Sequence, residues 1–177
     1  RVPSAFTYDL PRQPQAQGGQ GALYFGTRSD GREVAVKVPT AGKRSLEALE
    51  REIELLRRLE AEGVQGVVRC LDVITLDDLP AMVMPRYPQH LGLWLQQVIR
   101  DPGETTLDQV FDTTARLARI LDAVHQVELG GQRIVHRDVK PENVFVDAEG
   151  GLALGDFGGA MTIDGLRPIE LALFGTP

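Results

Sequence analysis

The sequence is poor in cysteine, in long apolar runs and in positive charge. Of its 177 residues only Cys70 is a cysteine, which excludes a disulfide framework and favours a reducing, cytoplasmic setting. No apolar stretch approaches the length needed to cross a membrane. The formal net charge is −6, from 25 acidic against 19 basic side chains, and no basic block offsets it. We therefore expect no nucleic-acid partner and no membrane contact from this segment.

The remaining composition is that of an ordinary globular protein. Apolar residues make up 42% and charged residues 25% of the chain, so it can bury a core. Arginine far outnumbers lysine, alongside much alanine, glycine and leucine, from which we expect a GC-rich coding sequence and a bacterial source. The chain starts at Arg1 rather than methionine, so we expect it to be part of a longer protein.

The first half of the chain is predicted to form a small sheet with one helix. Apolar runs separated by turn-forming residues predict strands at residues 22–26, 33–38, 67–74 and 81–84. Ser45 is placed to cap a helix over residues 45–60. The apolar side chains of this helix recur at helical spacing and predict one buried face: Leu46, Leu49, Ile53, Leu56 and Leu59.

The second half is predicted to begin with helices. Residues 84–88 break the strand pattern like a linker, and a helix is expected over residues 91–99. A longer helix is opened by the capping box Thr106-x-x-Gln109, and its inner side carries Val110, Leu117, Leu121 and Val124. Residues 11–20, rich in proline, glutamine and glycine, are expected to be mobile.

The densest chemical signal also lies in the second half. Residues 136–143 read His-Arg-Asp-Val-Lys-Pro-Glu-Asn, and residues 156–158 read Asp-Phe-Gly. Carboxylate and amide oxygens suit Mg²⁺, and phosphoryl transfer needs groups that position the reactants and neutralise charge. Here the chain resembles the eukaryotic-like, Hanks-type serine/threonine protein kinases, over the region from Gln15 to Pro177.

The resemblance implies an α+β, two-lobe fold. Residues 1–87 would form an N-lobe with a small antiparallel sheet and the helix that the family calls helix C. Residues 88–177 would form a mainly helical C-lobe that is incomplete. The family continues beyond the position of Pro177, so we expect either that the parent protein is longer or that a partner chain completes this lobe.

The resemblance also implies the catalytic roles. Asp138 matches the base that accepts the proton of the substrate hydroxyl, and Lys140 would neutralise the phosphate in transit. Asn143 and Asp156 match the positions that hold Mg²⁺, for which Mn²⁺ is a substitute. The reaction would use ATP and a protein substrate.

A buried ion pair is expected between the two predicted elements of the first half. Lys37 carries a charge on an otherwise apolar strand, which is costly unless a partner neutralises it. Glu52 is the predicted partner, because its helical neighbours are Ala48, Leu49, Leu55 and Leu56, whereas charged residues flank Glu54. In the family that the chain resembles, a lysine on a strand forms an ion pair with a glutamate on a helix, and Lys37 and Glu52 match these two positions.

The nucleotide-binding residues are carried over from the family in the same way. Ala16, Gly18 and Gly21 fall in the glycine-rich cover over the phosphates, with alanine in place of the first glycine. Met84 is at the gatekeeper position, and Pro85 and Tyr87 are at the hinge, where the proline carbonyl can still accept a hydrogen bond from adenine. The residues expected to sandwich the adenine ring are Leu23, Ala35 and Phe145. Those expected to form an apolar spine joining the lobes are Leu56, Cys70, His136 and Phe157.

Two alternative functions stay open at this point. One is a pseudokinase that binds nucleotide or a partner without turnover, which the intact Lys37, Glu52, Asp138, Asn143 and Asp156 argue against. The other is a small-molecule phosphotransferase of related fold, which usually lacks the counterpart of Lys140 and an activation segment ending in Gly-Thr-Pro, as at residues 175–177.

Regulation is expected to involve Arg137, whose family counterpart pairs with a phosphorylated residue of the activation segment. Glu170 would offer a permanent carboxylate in its place, and Thr162 is the competing site of modification. His90, His125 and Trp94 fit no motif and are interpreted as surface or packing residues.

Overall fold

The computed structural model describes residues 4–18, 21–100 and 107–164. The helices are α1 (Lys43–Ala61), α2 (Leu91–Arg100) and α3 (Leu107–Gln126). The strands are β1 (Tyr8–Asp9), β2 (Ala16–Gly18), β3 (Gly21–Arg28), β4 (Glu33–Val38), β5 (Asp72–Leu76), β6 (Leu79–Pro85), β7 (Gln89–His90), β8 (Glu128–Leu129), β9 (Gln132–Val135), β10 (Val144–Val146), β11 (Leu152–Leu154) and β12 (Met161–Asp164).

A six-stranded antiparallel sheet occupies the first half of the chain. Its order is β1-β3-β4-β6-β5, and β2 pairs with β3 off this path. The predicted strands at 22–26 and 33–38 are confirmed as the hairpin of β3 and β4, in which Leu23 lies opposite Lys37. Asp77 and Asp78 form the turn between β5 and β6, with φ of 48° and 62°.

The start of α1 corrects the sequence prediction. The helix begins at Lys43 after Gly42, and no side chain caps it. Ser45, predicted as the cap, lies inside the first turn, where its Oγ accepts a hydrogen bond from the Thr40 backbone N–H at 3.0 Å. The hydroxyl therefore accepts a hydrogen bond from the loop that follows β4 and does not cap the helix.

The predicted strand at 67–74 is wrong in its first half. β5 begins only at Asp72, whereas Val67 forms a single bridge with Leu154. The Val68 N–H donates to the Leu154 carbonyl at 2.9 Å. The apolar pattern of this stretch thus reflects a buried connection that docks on β11, because burial produces the same pattern in a strand and in a packed loop.

Two other predictions involve residues that the structure does not describe. Ala16–Gly18, inside the stretch expected to be mobile, forms β2, while residues 19 and 20 lie outside the described residues. Thr106, which opens the predicted capping box, also lies outside them. The long helix itself is confirmed as α3, with Val124 fully buried and Leu117 and Leu121 partly buried.

The described part of the second half combines α2 and α3 with two small sheets that the sequence did not predict. One sheet has the order β11-β10-β7 and the other the order β12-β9-β8. β9 leads directly into His136, and β11 leads into Asp156. The small sheets therefore carry both chemical motifs.

One hydrophobic core joins the two halves, and a second cluster lies on the other face of the six-stranded sheet. On β4, Val34, Val36 and Val38 face the second cluster, whereas Ala35 faces the main core, as the two-residue period of a strand requires. Leu56 and Phe157 are fully buried in the main core. None of the helices that the structure describes is long and apolar enough to span a membrane.

We expect Leu56→Ala to lower the free energy of unfolding by about 2–5 kcal/mol, because it leaves a cavity in the core that joins the halves. Leu93→Ala is the matched control, since Leu93 is 43% exposed and Leu56 is 1% exposed. Urea denaturation of both variants measures the difference. Equal losses in the two variants would contradict the position given to Leu56.

Candidate active site

A cavity of about 720 Å³ lies between the six-stranded sheet and the loops of the second half. The lining residues from the sheet and α1 include Ala16, Gly18, Gly21, Leu23, Lys37, Glu52 and Met84. Those from the second half include His90, Lys140, Glu142, Asn143, Phe145 and Asp156. The fold thus brings together, around this one cavity, residues that lie up to 140 positions apart in the sequence, from Ala16 to Asp156.

Lys37 lies at the centre of the ionic contacts in this cavity. Its Nζ is 2.7 Å from Glu52 Oε2 and 3.0 Å from Asp156 Oδ1. Glu52 is buried on the inner face of α1, and Glu54 is exposed on the outer face, so the choice between the two carboxylates is confirmed. The ammonium therefore links the sheet, the helix and the Asp-Phe-Gly motif.

The charge of Lys37 is stabilised by its two partners. Burial of the ammonium opposes its charge, but the carboxylates of Glu52 and Asp156 outweigh burial and raise the pKa of Lys37 above its ordinary value. Lys37 is therefore protonated throughout the neutral pH range, where it can attract a phosphate oxygen.

Asp156 has a left-handed backbone conformation, with φ of 61°. This conformation costs a non-glycine residue roughly 1–2 kcal/mol, so its neighbours must hold it. On one side, the Gly155 carbonyl lies 2.8 Å from His136 Nε2. On the other side, the Phe157 backbone N–H donates to Glu52 Oε1 at 3.2 Å. These contacts aim the Asp156 carboxylate at Lys37.

His136 connects the loop that carries Asp138 to the segment around Asp156. Its Nε2–H donates to the Gly155 carbonyl, and its Nδ1 accepts from the Asp138 backbone N–H at 3.3 Å, so the two hydrogen bonds place the ring proton on Nε2. The ring also packs edge-on against Phe157, with centroids 4.5 Å apart. His136 thus fixes the start of the loop that carries Asp138.

Asp138 is held by two side chains of its own loop. Its Oδ2 accepts from Lys140 Nζ at 2.7 Å and from Asn143 Nδ2 at 3.0 Å. The hydrogen bond from the Lys140 ammonium is the main reason that the pKa of Asp138 lies below its ordinary value. The carboxylate is therefore ionised at neutral pH and able to accept a proton.

Asn143 and Asp156 have the donor chemistry of a magnesium site. The Asn143 amide nitrogen donates to the Asp138 backbone carbonyl at 2.8 Å as well as to its side chain, so the amide oxygen is the atom that suits a cation. No cluster of three histidine, cysteine, aspartate or glutamate side chains able to hold a metal occurs within residues 4–18, 21–100 and 107–164. Asn143 and Asp156 therefore fit a Mg²⁺ site in which water and phosphate oxygens supply the other ligands, as this ion prefers.

The comparison with known families decides the assignment. The family described as "Protein kinase domain" matches residues 16–174. The chain belongs to the protein kinase family. The expected α+β kinase fold and the resemblance to serine/threonine kinases are thereby confirmed.

Several serine/threonine kinases are similar to the chain. Serine/threonine-protein kinase 36 of Pongo abelii is 32% identical over 165 residues, which cover 91% of this chain and 12% of that protein. The serine/threonine-protein kinase US3 homolog of Gallid herpesvirus 2 is 31% identical, with coverage of 83% and 33%. A probable serine/threonine-protein kinase of Clostridium perfringens is 31% identical, with coverage of 84% and 21%. The chain thus spans a third or less of the length of these relatives.

The glycine-rich hairpin of β2 and β3 lines one side of the cavity. Ala16 lies opposite Leu23, and Gly18 opposite Gly21, at the ends of β2 and β3. Gly21 has φ of 149°, and a Cβ built there would lie 2.2 Å from the Val38 carbonyl oxygen, so only glycine fits. Ala16, which stands where the family has its first glycine, is exposed on β2.

The remaining residues assigned to adenine lie beside the cavity. Ala35 pairs with Met84 and Val34 with Pro85 across β4 and β6, which places the predicted hinge at the end of the sheet. Tyr87 stacks on Phe145 with centroids 5.3 Å apart, and burial raises the pKa of Tyr87 to about 12. Ala35, Pro85 and Tyr87 are not among the residues that line the cavity, so their contact with adenine stays a prediction.

Sequence reasoning missed His90, Glu142 and Val68, which line the cavity. His90 lies there because β7 pairs with β10, with His90 opposite Phe145. Its Nδ1 accepts from the Leu93 backbone N–H at 3.3 Å, at the start of α2. A two-residue strand has no periodicity to detect, whereas Glu142 could have been found from its place inside the motif at 136–143.

The residues expected to take part in regulation are only partly described. Arg137 is exposed and left-handed, with φ of 70°. Glu170, its proposed partner, lies outside the described residues. Thr162 lies in β12, where its Oγ1 donates to Gln132 Oε1 at 2.6 Å.

We expect Lys37→Met to lower the free energy of unfolding by about 3–5 kcal/mol, because it leaves the Glu52 carboxylate buried without its ammonium. Adding Glu52→Gln to that variant should recover part of the loss. Glu54→Gln, on the exposed face of the same helix, is the control and should change stability by less than about 0.5 kcal/mol. Thermal or urea unfolding is the measurement; a further loss in the double variant would contradict the pairing.

Proposed function

We propose that this protein is an ATP-dependent serine/threonine protein kinase, which transfers the γ-phosphoryl group of Mg-ATP to a protein hydroxyl. The observation that carries the proposal is the hydrogen-bonded array around one cavity. Lys37 contacts Glu52 and Asp156 on one side, and Lys140 and Asn143 contact Asp138 on the other. The names of the relatives support the serine/threonine class.

In the proposed reaction, the substrate hydroxyl oxygen forms a bond to the γ-phosphorus while the bond to the β–γ bridging oxygen breaks. The proton of the hydroxyl passes to the Asp138 carboxylate, and ADP leaves. Lys140 lies against Asp138 and offsets negative charge on the group in transit. Lys37, held by Glu52, orients the other phosphates.

Asn143 and Asp156 are the proposed ligands of Mg²⁺, with Mn²⁺ as a substitute. The ion would supply neutralisation of phosphate charge. For adenine we propose contacts with Leu23, Ala35, Phe145 and the backbone of Pro85 and Tyr87, with Met84 as gatekeeper. The hairpin that contains Ala16, Gly18 and Gly21 would cover the phosphates. The single cysteine, Cys70, supports the proposal of a cytoplasmic location.

We also propose that further polypeptide, from the same protein or from a partner chain, covers the exposed apolar face of α3 and the exposed end of α2. Leu107 and Phe111 are 75% and 68% exposed and share one face of α3, four residues apart. Ile99 of α2 is exposed as well. Large apolar side chains grouped in this way are typical of a contact surface.

Asp138→Asn should lower kcat by roughly 10²–10⁴-fold, the usual contribution of a positioned base, because the amide cannot accept the proton. The dissociation constant for ATP should change little. Asp78→Asn, in an exposed turn with φ of 62° that asparagine tolerates, is the matched control. Steady-state kinetics and nucleotide titration are the measurements. Loss of ATP binding in Asp138→Asn would show that Asp138 has a structural role instead. A wild-type protein that binds ATP without transferring phosphate would favour a pseudokinase.

Residues 1–177 expressed alone should be inactive and self-associate, because the apolar face would contact water. Phe111→Ser and Leu107→Ser should reduce the self-association, whereas Ala115→Ser, on an exposed position of the same helix, should not. Light scattering measures the effect. A monodisperse, active monomer of this length would contradict the proposed contact surface.

A further inference from the structure

Strand β12 connects the two chemical motifs of the kinase. It pairs antiparallel with β9, from Met161 opposite Val135 to Asp164 opposite Gln132. β12 follows Asp-Phe-Gly by two residues, and β9 leads directly into His136. The pairing therefore ties the backbone after Asp156 to the backbone before Asp138.

This tie matters because Asp156 is strained. A left-handed aspartate persists only where the structure on both sides determines its conformation. On the N-terminal side, Gly155 is held by His136. On the C-terminal side, beyond the contact of Phe157 with Glu52, the chain is held by β12. Loss of the β9–β12 pairing would therefore release one side of the residue that contacts Lys37.

A side-chain hydrogen bond reinforces the pairing. Thr162 Oγ1 donates to Gln132 Oε1 at 2.6 Å, and Thr162 is half-buried opposite the fully buried Ile134. Gln132 is itself held in register, because the tight turn between β8 and β9 consists of Gly130 and Gly131, with φ of 60° and 81°. The bond thus joins β12 to a hairpin whose geometry is already determined.

We propose that Thr162 is a positioning residue, whose hydrogen bond to Gln132 holds β12 in register on β9 and so keeps Asp156 in the conformation that contacts Lys37. This inference rests on the proposed kinase function. The role is exerted through Asp156 and not by contact with the reactants. Because the hydroxyl donates to the Gln132 side chain across the two strands, a charged group attached to its oxygen would also break this hydrogen bond.

The test uses the complete protein and four single variants. Thr162→Val keeps the size and β-branching of the side chain but removes the donor, whereas Thr162→Ser keeps the hydroxyl. Gln132→Met removes the acceptor at similar length. Thr75→Val, at an exposed position of β5, is the matched control. The double variant Thr162→Val/Gln132→Met completes a double-mutant cycle.

Thr162→Val and Gln132→Met should each lower kcat about tenfold, which corresponds to about 1.4 kcal/mol of transition-state stabilisation. Both should also raise the Mg²⁺ concentration needed for half-maximal rate, because Asp156 is a proposed metal ligand. Thr162→Ser and Thr75→Val should retain the wild-type kcat. The double variant should be no worse than either single variant, because the bond is lost only once. Wild-type kinetics in Thr162→Val, additive losses in the double variant, or failure of Thr162→Ser would overturn the proposal.

Hydrogen exchange separates this inference from the proposed function. The amides of β12 should exchange faster in Thr162→Val than in the wild type, whether or not the protein transfers phosphate. Unchanged exchange there would overturn the positioning role. A wild-type protein that transfers no phosphate, with faster exchange in Thr162→Val, would instead count against kinase activity and leave the strand contact supported.

Discussion

The contact of one largely buried ammonium with two carboxylates organises this molecule. Lys37 lies on β4, Glu52 on α1 and Asp156 at the end of β11, so the same pair of contacts sets the distance between the sheet, the helix and the second half of the chain. Removing three charges from water costs several kcal/mol, and the attraction among them repays this only at close range. This cluster of charges is therefore an unfavourable way to stabilise the fold alone. Its orientation toward a cavity lined by glycines supports a role in binding phosphate.

The strain at Asp156 shows how the rest of the structure serves that contact. Its left-handed backbone is held by Gly155 through His136 and by Phe157 through Glu52. The same histidine accepts a hydrogen bond from the Asp138 backbone N–H, so the proposed base and the proposed metal-binding carboxylate share one support. In our account, the small sheets of the second half act as rigid carriers of the two motifs, and activity depends on their relative position.

How far the sequence predicts this protein depends on the range of the interactions. The β3–β4 hairpin, the buried face of α1 and the choice of Glu52 over Glu54 follow from local periodicity, and they are confirmed. The predicted start of α1 and the first half of the predicted strand at 67–74 are wrong, because Ser45 bonds to Thr40 and Val67 docks on Leu154, contacts that no local pattern reveals. His90 was missed for the same reason, since it reaches the cavity only through the pairing of β7 with β10.

The central claim is that the cavity around Lys37 and Asp156 transfers phosphate to protein hydroxyls. It is tested most directly by incubating the complete protein with γ-labelled ATP and a generic basic protein, followed by phosphoamino-acid analysis, with Asp156→Ala measured in parallel. The account predicts label on serine or threonine with the wild type and none with Asp156→Ala, although that variant stays folded. Label that is unaffected by Asp156→Ala, or ATP binding by the wild type without any transfer, would contradict it.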